Sequence, residues 1–181
     1  MKIFRTLFFG IALLFLGSCK EDTNTRAEPA PEAVTTFYLI RHAEKDRSNP
    51  ENIDPELTQR GLGRAMHWAE ILREVPLDAI YTTDYQRTEM TAAPTAVKQE
   101  LTPEYYDPES LDIEQFKMTS LGKNVLVVGH SNTTPELANA LLGEERYAAM
   151  EDSDNGSLFI VQRVGNQATA MRLHLSCNCP D

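Results

Sequence analysis

No stretch of this 181-residue chain is apolar for long enough to cross a bilayer as a helix; the one compact run, Leu7–Leu16, falls well short of the roughly 20 residues required. Cysteine is scarce, with three in all. Cys177 and Cys179 make at most half a zinc site, and the bond they could form with each other is cramped; a redox pair or no role at all are the readings left open. The four histidines stand far apart without paired carboxylates, so no metal-ligand spacing is present. Neither a phosphate-binding P-loop nor a G-x-S-x-G nucleophile turn occurs. Basic residues are outnumbered, 17 against 27 acidic, a net charge of −10. Such a surface repels nucleic acid, so any basic cluster that persists on it is local and purposeful.

What is present begins with Lys2 and Arg5 ahead of that apolar run, the layout of an export signal. Leu16-Gly17-Ser18-Cys19 resembles a bacterial lipobox, in which the cysteine becomes the lipidated first residue; an ordinary signal with a chance cysteine is the alternative. The reading is therefore a signal peptide over 1–18 and a polar, Pro/Ala-rich tether over 19–34. A globular domain over 35–176 and a short tail over 177–181 follow. Removing the signal leaves 15 basic and 27 acidic residues. The protein is expected outside the cytoplasm, facing the periplasm or the cell exterior and held to the membrane through a lipid on Cys19.

Within the domain, Phe37–Ile40 is a short aromatic and β-branched run, a buried strand that stops at Arg41-His42. A helix is expected from Leu57-Thr58 to about Val75, with Thr58 as its N-cap and Leu62, Ala65, Ala69 and Leu72 on its apolar face. Arg60, Arg64 and His67 would point away from that face, while Gly61 and Gly63 allow close backbone packing. Leu77–Tyr81 reads as a second strand, and Thr83 with Gln86 as a capping box that sets Arg87 in the first turns of the next helix, with Pro94 kinking or restarting it. A short strand within Leu101–Tyr106, a turn at Asp107–Ser110 and a helix over about Leu111–Leu121 come next. Asn124–Gly129 is a strand buried on both faces. It delivers His130 to a helix capped by Thr133 or Thr134 and ended by Gly143, a helix N-terminus suited to anions. Leu158–Gln162 and Ala168–Leu175 read as a hairpin around Gly165-Asn166, with His174 on the surface.

Alternating strands and helices predict a three-layer α/β/α sandwich with a mostly parallel central sheet and a C-terminal antiparallel hairpin. In that fold, separate strand ends bring Arg41, His42, Arg87 and His130 to one sheet edge. Two guanidiniums there form a fork for a dianion, and a neutral imidazole between them is a nucleophile or base.

Four ordered pieces carry a resemblance: Arg41-His42-Ala43-Glu44; Leu57-Thr58-x-x-Gly61-x-x-x-Ala65; Tyr81-Thr82-Thr83-Asp84-x-x-Arg87-Thr88-x-x-Thr91-Ala92; and Val127-Val128-Gly129-His130-Ser131-Asn132-Thr133. Together they resemble the histidine phosphatase superfamily, the phosphoglycerate mutase-like proteins. The resemblance implies a phosphatase in which His42 receives the phosphoryl group while Arg41, Arg87 and His130 bind and stabilise it, with Asn132 adding a phosphate contact. It implies no cofactor and no metal, a small phosphorylated substrate as the partner, no nucleic acid and a monomer. Two positions depart from the family pattern. Ala43 replaces the usual glycine, and the motif of the acid that protonates the leaving group is absent. Asp107 is the candidate acid, with Glu104, Glu109 and Glu114 as rivals; otherwise Asp107 is a turn residue before Pro108, and without an acid the substrates are phosphohistidine or acyl phosphates, whose leaving groups depart readily. A non-catalytic exported lipoprotein that binds phosphorylated ligands in the same pocket is the alternative; a mutase is disfavoured by the small size and the export.

Overall fold

The computed structural model describes residues 32–180, so the expected signal, most of the tether and the lipidation residue Cys19 lie outside the described residues. Six strands form one sheet: β1 (Val34–Arg41), β2 (Ala79–Thr82), β3 (Glu104–Tyr105), β4 (Asn124–Gly129), β5 (Ser157–Val164) and β6 (Gln167–His174), in the order β3-β2-β4-β1-β5-β6. The first four are mutually parallel; β5 runs antiparallel to β1, and β6 to β5. The architecture is thus the expected one, an α/β sandwich whose mostly parallel sheet ends in an antiparallel hairpin.

Alternation along β1 feeds both layers. Phe37 and Leu39 face a core with Phe116 of α3 (Ile113–Thr119) and Leu137, Ala138 and Leu141 of α4 (Thr133–Leu142). Ile40 faces the other core, with Trp68 of α1 (Gln59–Ile71) and Ala92 and Ala96 of α2 (Gln86–Gln99). Val125–Val128 are all buried because β4 lies between β1 and β2 and is covered on both faces.

Several local expectations change. Thr58 caps α1 by accepting the Gly61 N–H, as expected, but Leu62 is 38 % exposed and Trp68 takes its place in the apolar stripe. Arg64 points inward and is buried against Glu44. At Gly61 an added Cβ would stand 2.2 Å from the Glu44 carbonyl oxygen, so the helix can approach the β1 exit only with glycine there. α2 passes through Pro94 without a break, and β3 shrinks to two residues. Thr83 and Gln86 do not form a capping box: the N-cap of α2 is Tyr85, with no side-chain cap bond, and the Gln86 N–H is met by the Asp54 carboxylate from the preceding loop at 3.0 Å. The N-cap of α4 is Asn132 rather than a threonine, while Gly143 ends that helix in the left-handed conformation. β1 starts at Val34, so the last residue assigned to the tether joins the sheet. Cys177 and Cys179 are joined in a disulfide, and Cys179 packs against Gly63 of α1.

Candidate active site

Register brings the first two groups together. Arg41 stands beside Gly129 in the parallel β1–β4 pair, so His42 and His130 are the next residues out of two adjacent strands. The His42 N–H donates to the Gly129 carbonyl at 2.9 Å, and the imidazole centroids are 5.6 Å apart. Gly129 has no room for a side chain: a Cβ there would meet the hydroxyls of Thr134 and Tyr106 at 2.9 Å. Thr82 pairs with Val128, so Thr83 emerges at the level of Gly129, one residue short of His130.

A cleft of about 770 Å³ opens at these strand ends, with Arg41, His42, Arg87, Asp107, His130 and Asn132 among its walls. These six residues therefore border one cleft, as does Glu109 of the rival acids, whereas Glu104 and Glu114 do not line it. Arg41 is 3 % exposed and its Nη1 donates to the carbonyls of Glu151, Asp152 and Asp154 at 2.9–3.2 Å, with Nη2 on the Asp152 carboxylate at 3.0 Å. Arg87 is held more lightly, by a 3.4 Å contact with Asp54 and by the Tyr85 ring, whose centroid is 4.1 Å from its guanidinium carbon. In both arginines Nε–H is buried without a hydrogen-bond partner among the described residues. Buried donors are nearly always satisfied, and an oxyanion in the cleft would supply what these two lack.

The histidine protons are placed by their neighbours. His42 Nδ1 lies 2.7 Å from the Ala43 carbonyl, which can only accept, so the proton sits on Nδ1 and the lone pair on Nε2. Burial, together with the charges of Arg41 and Arg87, lowers the His42 pKa to about 3, so the ring is neutral near pH 7. His130 falls to about 4 through burial and the charges of Arg87 and Arg41. Its Nε2 is 2.9 Å from Thr83 Oγ1, which is 3.0 Å from Thr88 Oγ1. Thr88 spends its single proton on the carbonyl of Thr83 or Tyr85 and so accepts from Thr83. Thr83 in turn accepts from His130, which puts the neutral ring's proton on Nε2 and makes Nδ1 the nitrogen that gains or loses the second one.

Ala43, where the family pattern has glycine, is fully buried beside Leu57, Ala65 and Met90, and its N–H donates to Thr91 Oγ1 at 2.9 Å. Asp107 borders the cleft, but its carboxylate accepts from the Glu109 N–H and the Ser110 hydroxyl, and these bonds hold its pKa below the usual carboxylate value. A general acid needs the opposite shift. The geometry favours the turn-residue alternative over the acid.

Sequence reasoning missed Thr83 as the partner of His130, Tyr85 beneath Arg87, and the 151–155 loop, which grips Arg41 and sends Asn155 Nδ2 to the His42 carbonyl at 2.8 Å. Only the acidic run Glu151-Asp152-Ser153-Asp154 signalled this loop, as a charge match for the arginines.

Among known proteins, the profile of the histidine phosphatase superfamily (branch 1) matches residues 37–108. Solved structures with the same fold include the mycobacterial glucosyl-3-phosphoglycerate phosphatase, at 14 % identity and TM-score 0.63, covering 79 % of this chain and 100 % of that one. A protein from Nakamurella multipartitia, provisionally assigned as the phosphohistidine phosphatase SixA, aligns at 20 % identity and TM-score 0.59, over 81 % and 99 % of the two chains. A phosphoglycerate mutase from Bacillus anthracis aligns at 16 % identity and TM-score 0.61, over 79 % and 94 %. No curated protein matches the sequence significantly.

Proposed function

We propose that this chain is a member of the histidine phosphatase superfamily, whose profile matches residues 37–108, and that it hydrolyses phosphomonoesters or phosphohistidine through a phosphoryl group carried on His42. The observation that supports this most directly is the His42 ring itself: neutral, with Nδ1–H held by the Ala43 carbonyl and the Nε2 lone pair left for phosphorus.

In the first step the Nε2 lone pair forms the N–P bond while the bond from phosphorus to the leaving group breaks, its electron pair departing with that group. Arg41, Arg87 and a protonated His130 meet the charge on the three equatorial oxygens, and Asn132 is assigned a further contact at the N-terminus of α4. The phosphate dianion raises the His130 pKa on binding, because an adjacent anion favours the imidazolium. A water then attacks phosphorus, the N–P bond electrons return to Nε2, and inorganic phosphate leaves. No step calls for a metal. Since the Asp107 carboxylate is committed to its turn, the scheme favours leaving groups that depart with little protonic help, such as an imidazole or an acyl or aryl oxygen.

Purified protein is expected to hydrolyse p-nitrophenyl phosphate in the presence of EDTA and to trap acid-labile phosphate. His42→Ala should remove the label and lower turnover by roughly 10³-fold or more. Wild-type turnover in that variant would sink the nucleophile assignment; tight phosphate binding with no turnover in the wild type would point to the ligand-binding lipoprotein instead.

The same proposal has the protein exported and anchored through lipid on Cys19. No helix among the described residues is long and apolar enough to cross a membrane. In a bacterial host, labelled palmitate should be incorporated and the protein should fractionate with membranes; Cys19→Ser should abolish the label. Persistent labelling in that variant would refute the assignment.

A further inference from the structure

Neither Cys177 nor Cys179 lines the cleft, yet the C-terminal tail that carries them is tightly packed at both of its ends. Beyond β6 the Leu175 N–H donates to the Gly156 carbonyl at 2.8 Å, and the Leu175 side chain packs against the core that holds Trp68 and Leu158. A Cβ at Gly156 would stand 2.6 Å from the Leu175 carbonyl oxygen, so the tail lies hard against the residue that follows the 151–155 loop. The tail then reaches α1, where Cys179 sits on Gly63. A Cβ there would meet the Cβ of Cys179 at 3.1 Å and its Sγ at 3.5 Å. Glycine inside a helix lowers stability relative to alanine, and at this position it leaves room for the cystine. The tail is thus a strap between two segments that serve the site: the loop that grips Arg41 and the helix whose Arg64 grips Glu44.

The bond between the cysteines is not suited to a folding staple. A disulfide acts mainly by restricting the unfolded chain, and more so the longer the loop it closes. Here one residue separates the two cysteines, so the bond restricts very little. Its span is cramped, and cramped, accessible disulfides are the labile ones. Both cysteines are partly exposed and Asn178 between them is exposed, which leaves the pair open to a small thiol.

We propose that Cys177–Cys179 is a thiol–disulfide exchange site for low-molecular-weight thiols, and that its closed form buckles the strap onto Gly63. A thiolate attacks one cysteine sulfur; the S–S bond breaks, and its electron pair leaves on the other cysteine, which takes up a proton. A second thiol then attacks the mixed disulfide and releases the first cysteine as its thiol. Two electrons pass to the protein, and the two small thiols leave joined as a disulfide. A small-molecule disulfide closes the pair again by the reverse steps. The exchange calls on no residue of the cleft.

Full-length protein equilibrated with glutathione, quenched in acid and alkylated tests this, with the C-terminal peptide read by mass so that Cys19 does not contribute. In about 10 mM reduced and about 0.1 mM oxidised glutathione, a buffer in which structural disulfides stay closed, most of the pair is expected to open. A pair that stays closed there overturns the exchange site, as do free thiols after equilibration with oxidised glutathione alone. Hydrogen exchange at the Leu175 amide reads the strap, and opening the bond should speed it roughly tenfold. The double variant Cys177→Ser/Cys179→Ser should exchange fast at every glutathione ratio. Gly63→Ala should exchange fast even with the bond closed, because its methyl group takes the place of the cystine. Leu175 exchange that ignores the state of the bond, or stays slow in Gly63→Ala, would overturn the buckle.

Discussion

On one side of the cleft, His42, His130 and Thr83 leave three neighbouring parallel strands and are tied to one another or to adjacent backbone; on the other, Asp107 and Glu109 stand on an exposed turn beyond the two-residue edge strand β3. His42 and Thr83 in the strand-end wall are buried and His130 half-buried, and beside them the Nε–H groups of Arg41 and Arg87 are buried without a partner among the described residues. The turn wall spends its carboxylate on its own backbone. A central sheet can fix side chains to within tenths of an ångström because every strand end is anchored by ladder bonds and two cores, whereas an edge turn is anchored mainly by itself. On the proposed mechanism, stabilisation of the transferring phosphoryl group would fall to the strand-end wall, and the turn wall would give the leaving group little help.

The sharpest attempt to break this contrast pairs one residue from each wall. Arg87→Ala should lower kcat/KM for p-nitrophenyl phosphate by roughly 10²–10³-fold, as expected for loss of a charged donor to the transition state. Asp107→Asn should change it less than about threefold, and equally for alkyl and aryl phosphates, since a hydrogen-bonded turn carboxylate contributes no proton. A selective collapse on alkyl phosphates would restore Asp107 as the acid and erase the distinction.

Within the strand-end wall, Thr83→Val should cut kcat about tenfold with little change in KM, because His130 loses the acceptor that orients its ring, and Thr83→Ser should recover most of the loss. If Thr83→Val is indistinguishable from wild type, the hydroxyl is only packing.

The smallest effect is a displacement on the pH axis. On the proposed mechanism His42 must be neutral to attack, and its pKa near 3 means that its protonation removes activity only well below the ordinary histidine range. Once the substrate's own ionisation is divided out, the acid limb of kcat/KM should fall near pH 3. A limb near pH 6.5 would show that the wall is wetter than its packing indicates.

Much of the site was legible before any coordinates, because its chemistry is concentrated in short motifs at the ends of obvious strands. Val125–Val128 could only be a doubly buried strand, and Phe37–Ile40 its companion, so the residues that follow each were placed at a sheet edge by the chain itself. Gly61 announced a close approach and meets the Glu44 carbonyl. Arg64 was misread because its partner Glu44 lies 20 residues away, and a helix-face argument counts only apolar neighbours. The capping box at Thr83 was misread for a similar reason: spacing permits a local bond, but Asp54 and His130 offered longer-range partners that the local pattern could not include. At Asp107 the sequence left an acid and a turn residue both open, and the hydrogen bonds from the Glu109 N–H and the Ser110 hydroxyl favour the turn.

By itself the amino-acid sequence determined the strand and helix alternation, the emergence of Arg41-His42 and His130 at strand ends with Arg87 in the first turn of a helix, and the acid-rich composition, since these depend on hydrophobic period and composition. Only the tertiary structure decided which nitrogen of each imidazole carries its proton and which loop grips Arg41. His130 meets Thr83 across 47 residues of chain and Arg41 meets Glu151 across 110, and such partners are selected by strand register and loop closure, quantities that no local pattern contains.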